Sequence, residues 1–341
     1  MNFLRKILFP FAVLYGFVTS VRNILFDKGI LKSVAFDLPV IAVGNLSVGG
    51  TGKTPQIEYL IRLLSENHKI STLSRGYKRK SEGFVLADAT SDAGILGDEP
   101  YQFYQKFPSI QVAVDANRIN GITQLLSQDN APEVILLDDA FQHRKVKAGF
   151  YILLTAYNDL YCDDLILPAG NLRESRSGAD RADVIVVTKC PPQLSAKQQD
   201  AIKFRLKPAK HQQVFFTCIE YDGCVYSEEK QLLMEELAGA DKLLLAGIAK
   251  PEPFFEYLQD AKTETLVFPD HHDFTQRDIE AIKTKAKNNI IITTEKDFVR
   301  LKGKLPKEQL FYLPIKSSFL NDSAVFDKII LNYVGTSTGN R

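Results

Sequence analysis

Cysteine is scarce in this sequence and poorly placed for metal or redox chemistry. The 341 residues hold four, Cys162, Cys190, Cys218 and Cys224, with no C-x-x-C pair and too few neighbouring histidines to complete a zinc set. They read as free thiols in a reducing compartment, a Cys218–Cys224 bridge across a hairpin being the alternative. Charge of one sign is also lacking: 42 Lys plus Arg stand against 41 Asp plus Glu, a formal net charge of +1. Without a global field to attract nucleic acid, which is not expected as a partner, any anion site must be local. Low-complexity runs are absent, and 45% hydrophobic with 24% charged residues is the profile of an ordered globular protein. The length excludes one small core and points to two domains, or to one large α/β domain with additions.

Missing, too, is any apolar run of the roughly twenty residues that a bilayer-crossing helix needs. Between Arg5-Lys6 and Arg22 lies ILFPFAVLYGFVTSV, fifteen residues that are apolar on nearly every face. Residues 1–35 are therefore expected to form a helical segment lying in one leaflet. Pro10 is tolerated in its first turn, and Arg5, Lys6, Arg22, Lys28 and Lys32 would meet anionic headgroups. A buried core helix or a cleaved signal peptide would share this pattern. A nucleotide site directly downstream needs cytosolic nucleotide, which ranks export last.

Beyond this segment, short apolar runs alternate with polar stretches of helix length, the pattern of parallel strands joined by crossover helices. Val40–Val43, Ile70–Leu73, Val112–Val114, Val134–Leu137, Tyr151–Leu154 and Val184–Val187 predict one α/β, doubly wound, mostly parallel sheet, a P-loop NTPase core over residues 36–212. Val214–Tyr226 reads VFFTCIEYDGCVY, two β-rich runs around Asp222-Gly223, so residues 213–228 are expected to be a two-stranded hairpin linker. Leu243–Ile248, a helix over Glu252–Leu258, Thr265–Phe268 and Ile290–Thr294 predict a smaller C-terminal α/β domain over 229–341. Its tail, VGTSTGNR, should fray.

The strongest local signal is AVGNLSVGGTGKTP. A strand runs into Ser47, Val48, Gly49, Gly50, Thr51 and Gly52, whose glycines let backbone N–H groups turn inward onto phosphates. Lys53 can then reach the β/γ-oxygens and the Thr54 hydroxyl can ligate Mg²⁺. Ser47 departs from the strict P-loop pattern, which has glycine there, and an ordinary glycine turn is the competing reading. VILLDDAFQHRK delivers Asp138 and Asp139 to the carboxyl end of a strand, beside the P-loop in a doubly wound sheet. One carboxylate there can hold the water shell of magnesium, although an Asp at a strand end also serves as a helix N-cap. Gln142 and His143 follow in the same turn and can orient phosphate or substrate.

Other polar clusters fall at predicted strand ends: Ser74-Arg75-Gly76-Tyr77, Gly97-Asp98-Glu99-Pro100, Asp115-Ala116-Asn117-Arg118 and Leu172-Arg173-Glu174-Ser175. Each alone also fits a turn or solvated loop. In FPDHHDF, Asp270, His271, His272 and Asp273 have no cysteine nearby, which favours a base with an orienting carboxylate over a transition-metal site. Phosphoryl transfer to an alcohol needs an acceptor for the hydroxyl proton, and spacing does not choose among these candidates. Two rivals are a P-loop GTPase or metallochaperone and a partitioning ATPase. For the first, VVTKCPP echoes the guanine-reading N-K-x-D, but Pro191 cannot supply the carboxylate that reads guanine. For the second, Val48 stands where the signature lysine belongs.

Taken together, VGNLSVGGTGKTP, LSRGYKRK, GDEP, DANRINGI, DDAFQH, LPAGNLRES, FPDHHDF and TTEKDFVRL occur in order along almost the whole chain. In this it resembles the tetraacyldisaccharide 4′-kinase (lipid A 4′-kinase) family of Gram-negative bacteria. The resemblance implies transfer of the γ-phosphate of ATP, with Mg²⁺, to an acylated glucosamine disaccharide 1-phosphate, by a monomer on the cytoplasmic face of the inner membrane. It implies Lys53 and Thr54 as phosphate and Mg²⁺ contacts, Asp139 with Asp138 as the Walker-B-like acid, and Asp98 and His271 as a base pair drawn from both halves. Arg75, Asn117, Arg118, Gln142, His143, Arg173 and Glu174 become candidate substrate contacts. Opening and closing about the hairpin near Tyr221 would control access. Ala140 departs from the glycine of many relatives, which questions any positive φ at that position. Each buried methylene of an acyl chain contributes about 0.8 kcal/mol to membrane retention, so a substrate with four chains stays in the bilayer and the enzyme must go to it.

Overall fold

A computed structural model describes residue 5 and residues 7–338. In chain order the first elements are α1 (Phe9–Asp27), β1 (Val40–Asn45), α2 (Lys53–Leu64), β2 (Ile70–Ser74), β3 (Val85–Leu86), α3 (Ala93–Leu96), α4 (Asp98–Lys106), β4 (Gln111–Val114) and α5 (Arg118–Leu126). β5 (Val134–Asp138), β6 (Phe150–Ala156), β7 (Val184–Thr188), α6 (Ala196–Leu206) and β8 (Gln213–Tyr221) follow. Every residue of β1, β5 and β7 is buried, which is why these strands read as unbroken apolar runs: helices cover both faces of a parallel sheet. Successive side chains enter opposite layers. Ile41, Val43 and Leu136 pack with Ile57, Leu60, Ile61 and Leu64 of α2, whereas Ala42, Ile135 and Leu137 pack with Ile122 and Leu125 of α5. All six predicted strands form, and the predicted doubly wound sheet is observed in the order β8-β7-β6-β1-β5-β2-β4-β3 from its inner eighth strand outward.

The second sheet is built from β9 (Cys224–Tyr226), β10 (Gln231–Leu233), β11 (Lys242–Ala246), β12 (Thr263–Val267), β13 (Ile290–Thr294) and β14 (Leu310–Leu313). Its order is β10-β9-β14-β13-β11-β12. α7 (Glu252–Leu258), α8 (Gln276–Ala286) and α9 (Glu295–Leu301) accompany it. The chain then returns to the first sheet through β15 (Ile315–Phe319), which pairs antiparallel with β8, and α10 (Ser323–Thr338). Phe326, Ile330 and Val334, four residues apart, are fully buried with α2 against the large sheet. Truncating Phe326 to Ala would cost about 3–5 kcal/mol of stability.

Three expectations need correction. The hairpin at Asp222-Gly223 does not form, because β8 pairs with β7 and β15 while β9 pairs with β10 and β14. The turn carries the chain from one sheet to the other, and the return crossing at Pro314 lies beside it, with the Asp222 N–H donating to the Pro314 carbonyl at 3.0 Å. Residues 315–338 belong to the large sheet's layers and not to the smaller unit, and the expected fraying does not reach Val334, since α10 runs to Thr338; residues 339–341 lie outside the described residues. Finally, α1 is a 19-residue helix, long and apolar enough by length and composition to cross a membrane, because it continues past Arg22 to Asp27.

Candidate active site

β1 passes directly beneath the turn that follows β5. A Cβ on Gly44 would stand 2.7 Å from Phe141 Cβ, so glycine is required where the two segments touch. The chain then reaches α2 through Gly52, whose φ of 82° and lack of a capping side chain leave the first-turn amides of the helix to meet an anion. Ser47 and Thr51 are buried, whereas Val48, Gly49 and Gly50 are exposed. The loop is held by its carbonyls: the Thr188 hydroxyl donates to Thr51 O at 2.8 Å and Lys189 Nζ to Gly50 O at 2.7 Å. The segment that echoed a guanine reader thus clamps the phosphate loop.

Parallel pairing of β1 with β5 sets Val43 opposite Asp138 and brings both acids to the loop. Asp139 lies 3.5 Å from Lys53 Nζ and accepts from Arg173 Nη1 at 3.0 Å on each oxygen. Burial opposes its charge, yet Lys53 and Arg173 hold it below the ordinary carboxylate value. Burial, with Asp139 beside it, pushes Asp138 up to about 6. Adjacent acids at a strand end, one of them resisting ionisation, are the chemistry that a hard divalent cation relieves. Among the described residues no group of three or more His, Cys, Asp or Glu is placed to hold a metal. Ala140 is compatible with the turn because the positive φ, 48°, falls on Asp139.

The expected substrate contacts divide. Arg118 is 2% exposed and donates to the carbonyls of Asp115 at 2.7 Å and Asp138 at 3.1 Å; burial lowers its pKa to about 10. Glu174 is 3% exposed and accepts from Asn23 at 2.6 Å, Arg181 at 2.8 Å and Gln142 at 3.0 Å. These two shape the site from inside, which corrects the expectation that they meet substrate. The Asn117 side chain caps α5. Gln142 is turned inward onto Asn45 O, and Arg75 is exposed. Burial, then Arg118, Lys145, Arg22 and Arg75, lowers His143 to about 4, so its ring is neutral at pH 7.

His271 Nδ1 lies 3.3 Å from Asp98 Oδ2, joining the end of the small sheet to the start of α4. Its ring stands edge-on to Tyr77, centroids 5.5 Å apart, and Ser74, three residues before Tyr77, donates to Asp138 at 3.3 Å. One strand end therefore connects the two acidic centres. Two cations that the sequence reading gave no role complete the cluster. Arg300 Nε donates to Asp98 Oδ1 at 2.9 Å, with Nη2 on Oδ2, and Lys296 Nζ is 2.9 Å from His271 Nε2. Their signal was the i, i+4 spacing within TTEKDFVRL, which places both on one helical face.

A sequence model of the family described as tetraacyldisaccharide-1-P 4′-kinase matches residues 4–335. The tetraacyldisaccharide 4′-kinase of Flavobacterium johnsoniae is 67% identical over 334 residues, 98% of each chain. That of Flavobacterium psychrophilum is 68% identical over 342 residues and all of both chains. The crystal structure of "apo" form LpxK from Aquifex aeolicus in complex with ATP superposes with a TM-score of 0.80 at 32% identity, over 97% of this chain and 99% of that one. With loop, acids and fold in agreement, the chain belongs to the tetraacyldisaccharide-1-phosphate 4′-kinase family.

Proposed function

We propose that this chain carries the γ-phosphate of ATP to the 4′-hydroxyl of tetraacyldisaccharide 1-phosphate at the cytoplasmic face of the inner membrane, Asp98 and His271 receiving the hydroxyl proton. The observation that carries this reading is the Asp98–His271 contact at 3.3 Å, a carboxylate–imidazole pair assembled from both units. ATP as donor is supported by the Aquifex aeolicus relative, described with ATP. Ser47 to Thr54 would cradle its phosphates. Lys53 and Arg173 now neutralise Asp139, and a triphosphate offers the same cations another anion. Thr54 and Asp139, with Asp138 behind, would hold Mg²⁺, which when bound neutralises charge on the phosphates. The Asp98–His271 pair takes the proton as the sugar oxygen bonds to phosphorus and the bridging oxygen leaves with ADP.

Membrane association is supported by α1. Phe11 and Phe17 are 63% and 66% exposed, yet the helix is tied to the site: the Tyr15 hydroxyl donates to Arg173 O, Arg22 to Gln142 O and Asn23 to Glu174. A helix docked along its polar side lies on a bilayer more readily than through it. Between α1 and residues 164–176 runs a mostly apolar groove of ≈ 600 Å³ with Arg176 in its lining, a place for an acyl chain. One chain supplies the loop, the acids and both members of the base pair, which supports a monomer as the working unit. Asp98→Ala should lower kcat by about two to four orders of magnitude with KM for ATP little changed; a loss confined to KM would reassign Asp98 to binding.

A further inference from the structure

The sheet order sets β6 and β7 on one side of β1, and β5 with its acids on the other, so the phosphate loop has two flanks. On the β5 flank, Lys53 and Arg173 share Asp139. On the other, Lys189 Nζ lies on Gly50 O at 2.7 Å. Lys250, from the turn between β11 and α7, reaches across from the smaller unit to Asp159, in the turn after β6, at 2.8 Å. We propose that Lys250 is a phosphate contact of the bound nucleotide: backed by Lys189, it leaves Asp159 for the α- and β-phosphates. This rests on the reading of Ser47 to Thr54 as the ATP loop and is independent of the proton acceptor.

Strand register brings Asp159 to the loop. Ala156 pairs with Thr188, the Asp159 N–H donates to Ala156 O at 3.0 Å and the Tyr157 N–H to Thr188 O at 2.9 Å, while the Thr188 hydroxyl holds Thr51 O. Lys189 takes a φ of 57°, a left-handed backbone that a non-glycine residue keeps where its surroundings hold it. A Cβ on Gly50 would stand 3.7 Å from its Nζ, so the ammonium lies along the exposed run of the loop. Desolvation, then Lys250, holds Lys189 below the ordinary lysine value, Lys53 adding to the effect and Asp159 opposing it. Among these groups each flank carries two cations to one carboxylate, and like charges gathered in this way form a local field for a polyanion. The Lys250 and Asp159 side chains are 65% and 63% exposed. An ion pair so open to water is weak, and a polyphosphate of higher charge displaces the carboxylate readily. Which phosphates Lys250 meets follows from the opposite flank. Ser74 donates to Asp138 and Tyr77 stands against His271, so the acceptor approaches from the side of β5 and β2, and the γ-phosphate must lie there to be transferred. The α- and β-phosphates, which stay with ADP, then fall toward Lys189 and Lys250.

The test is calorimetric titration of the purified full chain in detergent with ATP and with ADP, each with Mg²⁺, at low and at higher salt, with melting temperature recorded for each variant. Lys250→Met should raise Kd about 5-fold for both nucleotides, the effect of one half-exposed charge contact, and should flatten the dependence of Kd on salt. In steady-state transfer the loss should fall on KM for ATP, because a contact made equally in the ground and transition states does not act on kcat. Asp159→Asn, which frees Lys250, should tighten both nucleotides about 2-fold, and that gain should vanish in the Lys250→Met background. An unchanged Kd in folded Lys250→Met would overturn the proposal. So would Asp159→Asn weakening both nucleotides as Lys250→Met does, which would make the pair a tie between the units and nothing more. A gain from Asp159→Asn that persists without Lys250 would overturn the exchange. A loss confined to ATP, or to kcat, would move Lys250 to the γ-phosphate and overturn its assignment to the flank of β6 and β7. Lys53→Ala binding ATP with the parent's Kd would remove the loop reading itself, whatever Lys250 does.

Discussion

Asp138 and Asp139 are adjacent in the chain and opposite in electrostatics. Asp139 has Lys53 and Arg173 on it and stays ionised, while Asp138, buried behind, is pushed up to about 6. A proton must leave Asp138 before the pair carries its full charge, so Mg²⁺-dependent nucleotide binding should tighten as pH rises from 5 to 7. Asp138→Asn should flatten that dependence in a calorimetric titration, and an unchanged slope would show that another group titrates. The loop and the acids were legible in the sequence because their meaning is local: a strand, glycines, then Lys-Thr, or a strand ending in Asp-Asp. The inward fate of Arg118 and Glu174 was not, because their partners Asp138, Gln142 and Asn23 come from other elements. Nothing in DANRIN or NLRES separates a buried arginine or glutamate from a solvated one.

Two elements carry more than packing. α1 exposes an apolar face while its other side reaches Gln142, Arg173 and Glu174, so one helix joins that apolar face to the site. Deleting residues 1–25 should abolish flotation with anionic vesicles, and a truncated protein that still floats would place the lipid contact elsewhere. At the α4–α9 seam, Lys106 Nζ lies 2.7 Å from Glu58 and 2.6 Å from Glu295, one cation between two buried acids. Burial, then Glu58, pushes Glu295 up to about 7. The folded state therefore holds a proton that the unfolded chain has released, and stability falls as pH rises from the ordinary glutamate value through 7. Glu295→Gln should flatten this fall in melting temperature; an equal slope in the variant would remove Glu295 as its source. The sequence showed α7 and β13 at their observed bounds, since Pro251 opens the one and an apolar run marks the other. It misread Asp222-Gly223 because a turn signal says that the chain bends, not which sheet receives the next strand. That was decided by Pro314, some ninety residues later.

At the scale of the molecule, the two sheets are tied by two adjacent crossings, β8 to β9 and β14 to β15, and by the α4–α9 ion pairs. A doubly wound sheet was legible in the alternation of apolar runs and helices. The return of α10 was not read from the sequence, because only the tertiary structure says that α2 receives Phe326, Ile330 and Val334. The account as a whole requires that ATP held at Ser47 to Thr54 meet a lipid-borne alcohol at Asp98. Its most direct test is to incubate the purified full chain with γ-labelled ATP, Mg²⁺ and tetraacyldisaccharide 1-phosphate in detergent and locate the label on the lipid. Label on the 4′-oxygen, absent with Lys53→Ala, is the predicted result; ATP hydrolysed to free phosphate with no labelled lipid would contradict it.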